Sequence, residues 1–362
     1  MGKIRVLVVD DSVVVRRVIS DALAGDPDVV VAGSAPSGRI ALAKIPQVNP
    51  DLITLDIEMP ELDGLQTLVA LRKDYPRLPV IMFSTLTRRG ATATLDALAA
   101  GASDYVTKPT GLAGPAVPAF IRAELLPRIK ALVARPRPAV RSAAPPAPRG
   151  VPAPRRPGRP IEVLAIGVST GGPNALADLL PTLPETFPVP VLIVQHMPPM
   201  FTRLLAERLD SQCALHVVEA QAGDLLEPGG VWIAPGDNHM VVRREGLTVR
   251  IATHQGPHEN SCRPSVDVLF RSVGEVYGDG VLAIVLTGMG QDGLLGCERL
   301  HEAGARILVQ DEATSVVWGM PGFVANAGLA EAVLPLDALG PAITLRAREG
   351  RDPARLEIPL TP

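Results

Sequence analysis

Aromatic residues are scarce in this chain, 3% of 362, so rings cannot dominate its cores and small aliphatic side chains must do the packing. Cysteine is nearly absent: Cys213, Cys262 and Cys297 are scattered and odd in number. That argues against a disulfide framework and for free thiols in a cytoplasmic protein. No apolar run reaches the roughly 18–20 residues that span a bilayer. The opening MGKIRVLVVDDS runs straight into a strand-like stretch and has no cleavable leader pattern. An excess of positive charge is also lacking, since 35 basic and 38 acidic residues give a net −3. Nothing in that balance favours nucleic acid or an anionic membrane. No Cys/His or His/Glu spacing reads as a zinc motif. What remains is a globular composition, 47% hydrophobic and 20% charged, long enough for two domains with separate cores. A monomer is expected.

The chain divides at a stretch from Ala131 to Pro160 that holds nine prolines, seven arginines and no acid. It cannot bury a core, and its prolines favour extended conformations, so it reads as a semi-stiff tether. The expected layout is a first domain over 1–128, a linker over 129–160, a second domain over 161–350 and a tail over 351–362.

Before the tether, apolar β-branched runs alternate with amphipathic ones. IRVLVVD precedes Val13–Leu23, DVVVAG precedes Arg39–Lys44, and DLITLDI precedes Leu65–Asp74; PVIMFS precedes Thr92–Ala100, and DYVT precedes Phe120–Ala131. Five strand–helix repeats predict a doubly wound parallel sheet with its chemistry at the carboxyl ends of the strands. Asp10 and Asp11 end the first strand and Asp56 the third, so three carboxylates converge. Unpaired, they would repel; a bound Mg²⁺ relieves that and can orient a phosphoryl group. Ser84 and Thr85 end the fourth strand with hydroxyls, and Lys108 follows the fifth with an ammonium.

These residues, with the DxxMPxxDG pattern over 56–64, resemble the receiver domain of two-component response regulators. The resemblance implies a flavodoxin-like (βα)5 fold. It implies Asp56 as phospho-acceptor, with Asp10, Asp11, Asp56 and the main-chain carbonyl of Glu58 around Mg²⁺. Ser84, Tyr105 and Lys108 fall at the hydroxyl switch, the aromatic switch and the phosphate-binding lysine.

After the tether the same pattern resumes with IEVLAIGVS and a helix from about Pro173, then PVLIVQH, VVEA, VWIAP, VLAIVLTG and RILVQD. MVVRREGLTVRIA alternates around Arg244-Glu245-Gly246 and predicts an antiparallel hairpin within a mostly parallel α/β domain. The first strand enters Gly167-Val168-Ser169-Thr170-Gly171-Gly172-Pro173, a G-x-S-x-G turn that suits either a serine nucleophile or a phosphate cradle.

Six histidines narrow the choice. His216 and His301 read as structural or exposed, and His254 and His258 as solvated loop residues. His196 ends the strand next to the serine turn and is the preferred general base, with His239 as the alternative. Asp292, on the glycine loop after VLAIVLTG, is the preferred third member. Asp237 and Asp267 compete with it. An acid bonded to the histidine would fix its tautomer.

GVSTGGP, QHMP, APGDNHM, RPSVDVLF, LTGMGQDG and QDEATSVVWGMPG, in that order behind a receiver, resemble the chemotaxis protein-glutamate methylesterase (CheB) family. The resemblance implies a Ser169–His196–Asp292 triad, an oxyanion contact from the Met289 backbone, and Thr170 lining the site. It implies phosphorylation-controlled hydrolysis of glutamate γ-methyl esters, and deamidation of glutamines, on chemoreceptors. A histidine kinase would be the phosphodonor, and the esterase would need no cofactor. Two other classes compete: a receiver-controlled serine hydrolase of another substrate, and a non-catalytic phospho-switch binding module.

Overall fold

A computed structural model of the chain describes residues 2–109, 116–133 and 159–351. The chain forms two compact units, Met1–Pro138 and Ala139–Pro362. Most of the predicted tether, 134–158, and the tail from 352 lie outside the described residues.

The first unit alternates β1 (Ile4–Val9), α1 (Val13–Ala24), β2 (Val29–Ala35), α2 (Gly38–Val48), β3 (Leu52–Asp56), α3 (Gly64–Asp74), β4 (Val80–Ser84), α4 (Arg88–Ala99), β5 (Asp104–Thr107) and α5 (Ala116–Val133). Its five parallel strands lie in the order β2-β1-β3-β4-β5. The order reverses between β1 and β3, which opens a crevice at their carboxyl ends. β3 and β4 are buried along their whole length, as strands covered on both faces must be.

Three helices differ from the reading of the sequence; α2 runs on to Val48, four residues past Lys44. α4 begins at Arg88, four residues before Thr92, because the Thr87 hydroxyl accepts the Gly90 N–H at 3.0 Å and caps it. α5 runs to Val133, past the expected boundary at 128, and Ile129 is fully buried, so packing carries the helix into the proposed linker.

The second unit places β6 (Val163–Val168), α6 (Gly172–Leu179), β7 (Val191–Gln195), α7 (Phe201–Asp210), β8 (His216–Glu219), β9 (Gly230–Ile233), β10 (His239–Glu245) and β11 (Thr248–His254) in succession. α8 (Val266–Tyr277), β12 (Val281–Val285), α9 (Leu294–Glu302), β13 (Arg306–Gln310), α10 (Met320–Asn326), β14 (Ala332–Leu334) and α11 (Leu336–Arg348) follow. Seven parallel strands are ordered β14-β13-β12-β6-β7-β9-β8, and β10–β11 stands apart as an antiparallel ribbon. Glu245 pairs with Thr248, so the ribbon turns at Gly246-Leu247, one residue beyond the predicted centre.

β6 lies between β12 and β7. The segments following these three strands therefore meet at one sheet edge. Beneath that edge, Val163, Ala165, Leu269, Phe270 and Ala283 share an apolar core. Four of the six phenylalanines, Phe83, Phe187, Phe201 and Phe270, are fully buried. Each contributes roughly 2–3 kcal/mol of apolar burial.

Candidate active site and acid pocket

In the first unit, Asp10 and Asp56 are almost wholly buried at the β1/β3 crevice, while Asp11 is exposed at its rim. Carboxylate oxygens of the three lie within 4.8 Å of one another. Lys108 Nζ sits 2.8 Å from Asp56 Oδ2 and 3.2 Å from Asp10 Oδ2. These contacts are ion pairs, and neither oxygen accepts a well-angled hydrogen bond. Burial pushes Asp56 up to about 6, opposed by Lys108 and reinforced by Asp10. The same carboxylates hold Lys108 above its ordinary value despite its burial. Buried oxygens with spare lone pairs, an all-oxygen donor set and one cation for three acids suit a hard divalent ion. Glu58 extends the loop, its N–H donating to Asp56 Oδ1 at 3.4 Å.

Ser84 is fully buried, with its Oγ 3.1 Å from the Gly90 carbonyl and 2.7 Å from Thr94 Oγ1. Lys108 N donates to the Ser84 carbonyl at 2.6 Å, tying the ends of β4 and β5 together. Tyr105 is half-buried on β5, its phenol pushed up by burial and by Asp104.

In the second unit, Ser169 follows β6 directly, and a turn from Gly172 N to the Ser169 carbonyl (2.8 Å) starts α6. Gly171 takes φ +79°, a left-handed conformation that suits glycine, and lets the chain reverse there. Gly288, on the loop after β12, faces Ser169 so closely that an added Cβ would lie 2.9 Å from the serine Cβ. The backbone leading to Met289 thus passes beside Ser169. Among the described residues, neither Ser169 Oγ nor the Met289 N–H makes a hydrogen bond. Thr170 is buried, and its carbonyl accepts the Thr287 hydroxyl at 2.9 Å.

His196 follows β7, its N–H reaching the Val168 carbonyl at 3.3 Å. Its Nε2 lies 2.8 Å from Asp292 Oδ2. Asp292 is 2% exposed and accepts further bonds from Val266 N, Asp267 N, Gly293 N, Ser265 Oγ and Asn260 Nδ2, at 2.7–3.1 Å. Three of these donors sit at the start of α8, where the helix dipole also favours an anion. Burial works against the Asp292 charge, but His196 and these donors outweigh it and hold the carboxyl well below its usual range. His196 is pushed up to about 10: burial opposes the charge, while the Cys262 sulfur and Asp292 favour it.

With Nε2 on the carboxylate, Nδ1 is the nitrogen left for a proton from Ser169. In this structure it faces Cys262 Sγ at 3.6 Å.

The competing residues have other partners. His239 is 1% exposed, with Nε2 2.9 Å from the Pro257 carbonyl and its ring against His254. Asp237 is paired with Arg263, the guanidinium Nε at 2.9 Å. Asp267, fully buried, accepts Gly296 N at 2.6 Å and Asn260 Nδ2 at 2.8 Å. Reading the sequence passed over Asn260, Cys262 and Ser265. The available signal was the quoted RPSVDVLF, which contains Ser265 and begins one residue after Cys262.

The two folds and this arrangement define a class: a receiver unit in one chain with an α/β unit of serine-hydrolase type. A CheB methylesterase model matches residues 164–343, and a response regulator receiver domain model matches residues 6–113. The protein-glutamate methylesterase/protein-glutamine glutaminase of Trichodesmium erythraeum is 54% identical over 352 residues, covering 96% of this chain and 99% of that one. The protein of the same name from a Nocardioides species is 54% identical over 360 residues, 97% of each chain. The crystal structure of the Thermotoga maritima CheB methylesterase catalytic domain is 39% identical, with a TM-score of 0.51. It covers 51% of this chain and 98% of that one. The chain belongs to the CheB methylesterase family. Among the described residues, no helix is long and apolar enough to cross a membrane.

Proposed function

We propose that the chain hydrolyses glutamate γ-methyl esters, and deamidates glutamines, on chemoreceptors in the cytoplasm, under control of phosphorylation at Asp56 by a histidine kinase. The observation that supports the catalytic part is the placement of Ser169 and His196 directly after the adjoining strands β6 and β7, with Asp292, on the loop after the neighbouring β12, bonded to His196 at 2.8 Å.

In this reading His196 Nδ1 takes the Ser169 proton, and Ser169 Oγ attacks the ester carbonyl. Asp292 holds Nε2–H and supports the imidazolium that forms. The Met289 N–H and the backbone at Thr170 serve the oxyanion; one such donor is worth about 3 kcal/mol. The proton on His196 passes to the departing methanol, or to ammonia when the substrate is a glutamine. Water, deprotonated by the same nitrogen, then cleaves the acyl-enzyme. Catalytic contacts in a substrate-free site commonly tighten only when substrate binds.

Asp10, Asp11 and Asp56, with the Glu58 carbonyl, would hold Mg²⁺, which would offset the charge of an incoming phosphoryl group. Lys108 and Ser84 would meet that group, and Tyr105 would register the change on β5. The expected division is a receiver, a Pro/Arg-rich linker and a catalytic domain from 161 to 350.

Methanol release from methylated receptor membranes tests the reading, using the full chain with and without a small-molecule phosphodonor. Release that rises with the phosphodonor and vanishes in Ser169→Ala is expected. No release in either state, or release unchanged by Ser169→Ala, would overturn it.

A further inference from the structure

The atoms around His196 fit a second ligand that hydrolysis does not require. Cys262 Sγ lies 3.6 Å from His196 Nδ1, and one donor atom from each of His196, Cys262 and Asp292 fall within 4.8 Å of one another. The two residues are 66 apart in the chain, so no spacing motif could have exposed the pair. Cys262 is half-buried and His196 is 12% exposed, so solvent reaches the cluster. The other thiols have different surroundings. Cys297 is buried, and burial pushes it well up; Cys213 is pushed up to about 11 by burial and by Asp210.

We propose that His196 Nδ1 and Cys262 Sγ form a binding site for a soft divalent cation of the Zn²⁺ class, whose occupancy shuts the esterase off. Three features support it. A tetrahedral ion about 2.3 Å from sulfur and about 2.0–2.1 Å from nitrogen places those two ligand atoms about 3.5 Å apart. The observed separation needs almost no adjustment. Asp292 on Nε2 supplies the carboxylate–imidazole arrangement found behind metal-bound histidines; it keeps the hydrogen on Nε2 and turns the Nδ1 lone pair to the sulfur. One thiolate and one imidazole are soft and borderline donors, which select Zn²⁺ over the Mg²⁺ expected in the receiver.

The thiol and the imidazolium Nδ1 each give a proton to solvent as the two metal bonds form, and no electrons are transferred. With two protein donors, water fills the remaining positions and the ion stays exchangeable. The inhibition rests on the proposed role of Nδ1 as the base for Ser169, because a nitrogen bonded to a metal cannot accept that proton. Binding itself does not rest on that role. A simple S–H···N hydrogen bond would show the same 3.6 Å separation, and it is the outcome to be excluded.

Titration of the full chain with Co²⁺ reads the site directly, because a thiolate bound to cobalt absorbs in the near ultraviolet and the oxygen ligands of the receiver do not. A saturable band is expected that Zn²⁺ displaces and that Cys262→Ser and Cys262→Ala both lack. In the methanol assay, Zn²⁺ should inhibit the wild type at concentrations at least tenfold lower than it inhibits either variant. No thiolate band in the wild type, or a band that survives in both variants, would overturn the site. A band lost in both variants, with equal Zn²⁺ inhibition of all three proteins, would overturn the inhibitory role. If methanol is never released, the function fails while the absorbance still decides the site.

Discussion

The two units each bury an aspartate at the carboxyl edge of a parallel sheet, and they treat it in opposite ways. Asp56 is pushed up to about 6, beside Asp10 and with Lys108 as the ammonium shared by both. Asp292 is equally buried but held well below its usual range, because its oxygens accept six hydrogen bonds. Donor supply makes the difference, since burial alone raises both. The Asp56 pocket keeps lone pairs, which suits the change of state proposed for it. The Asp292 pocket is saturated, which suits the fixed orientation that the proposed triad needs.

That contrast is most exposed to replacing each carboxylate's partner or charge. Asp292→Asn is expected to lower kcat for methanol release by about 10⁴-fold while the chain stays folded. Circular dichroism and a methanol assay check this. A variant within tenfold of wild type would reduce Asp292 to a cap for α8. Lys108→Ala should instead act on stability. It leaves two nearly buried carboxylates without their ammonium, at a cost of about 3 kcal/mol. Mg²⁺ added in the millimolar range should recover part of that through linkage. Calorimetry of the full chain should show the loss and the recovery; a variant that melts like wild type, with no Mg²⁺ response, would break the contrast on the receiver side.

Period and strand ends carried much of this into the sequence. Asp10, Asp56, Ser84 and Lys108 were readable together because strand periodicity fixes which residue terminates each strand. Ser169 and His196 were read for the same reason, and Asp292 from its glycine-rich loop after β12. Residues on irregular backbone were not. Asn260 and Cys262 reach His196 and Asp292 from a loop with no period, and only tertiary packing brings them there. The three-residue β14 is too short to show alternation. The start of α5 at Ala116 lies four residues before the expected Phe120, while its end at Val133 lies only two past the expected Ala131. Nor does any pattern tell which ring nitrogen of His196 meets the carboxylate.

The nitrogen choice leads to the smaller effects. Because His196 is pushed up to about 10, its neutral form is the minor one at neutral pH, and in the proposed mechanism that form is the base. Between pH 7 and 9, kcat/KM should rise about tenfold per unit, since each unit increases the neutral fraction tenfold. A profile flat above pH 7 would show an ordinary imidazole. Cys262→Ser takes away the sulfur that helps hold the imidazole up and should move the limb to lower pH.

Asn260 tunes the same balance from the other side. Its Nδ2 bridges Asp267 Oδ2 at 2.8 Å and Asp292 Oδ1 at 3.0 Å, and burial, with Asp292 beside it, pushes Asp267 up to about 6. Asn260→Ala takes one donor from each carboxylate, and a hydrogen bond to a charged group is worth about 1.5–3 kcal/mol. Five donors to Asp292 remain, so the expected loss in kcat is only about 3–10-fold, somewhat less than that range alone would give, with KM unchanged. With one fewer competing donor, Asp292 pairs more strongly with the imidazolium, and the limb should move to higher pH by less than about one unit. A purely structural role would lower the melting temperature without moving that limb. The pH profile therefore separates a residue that positions the triad from one that merely fills the loop.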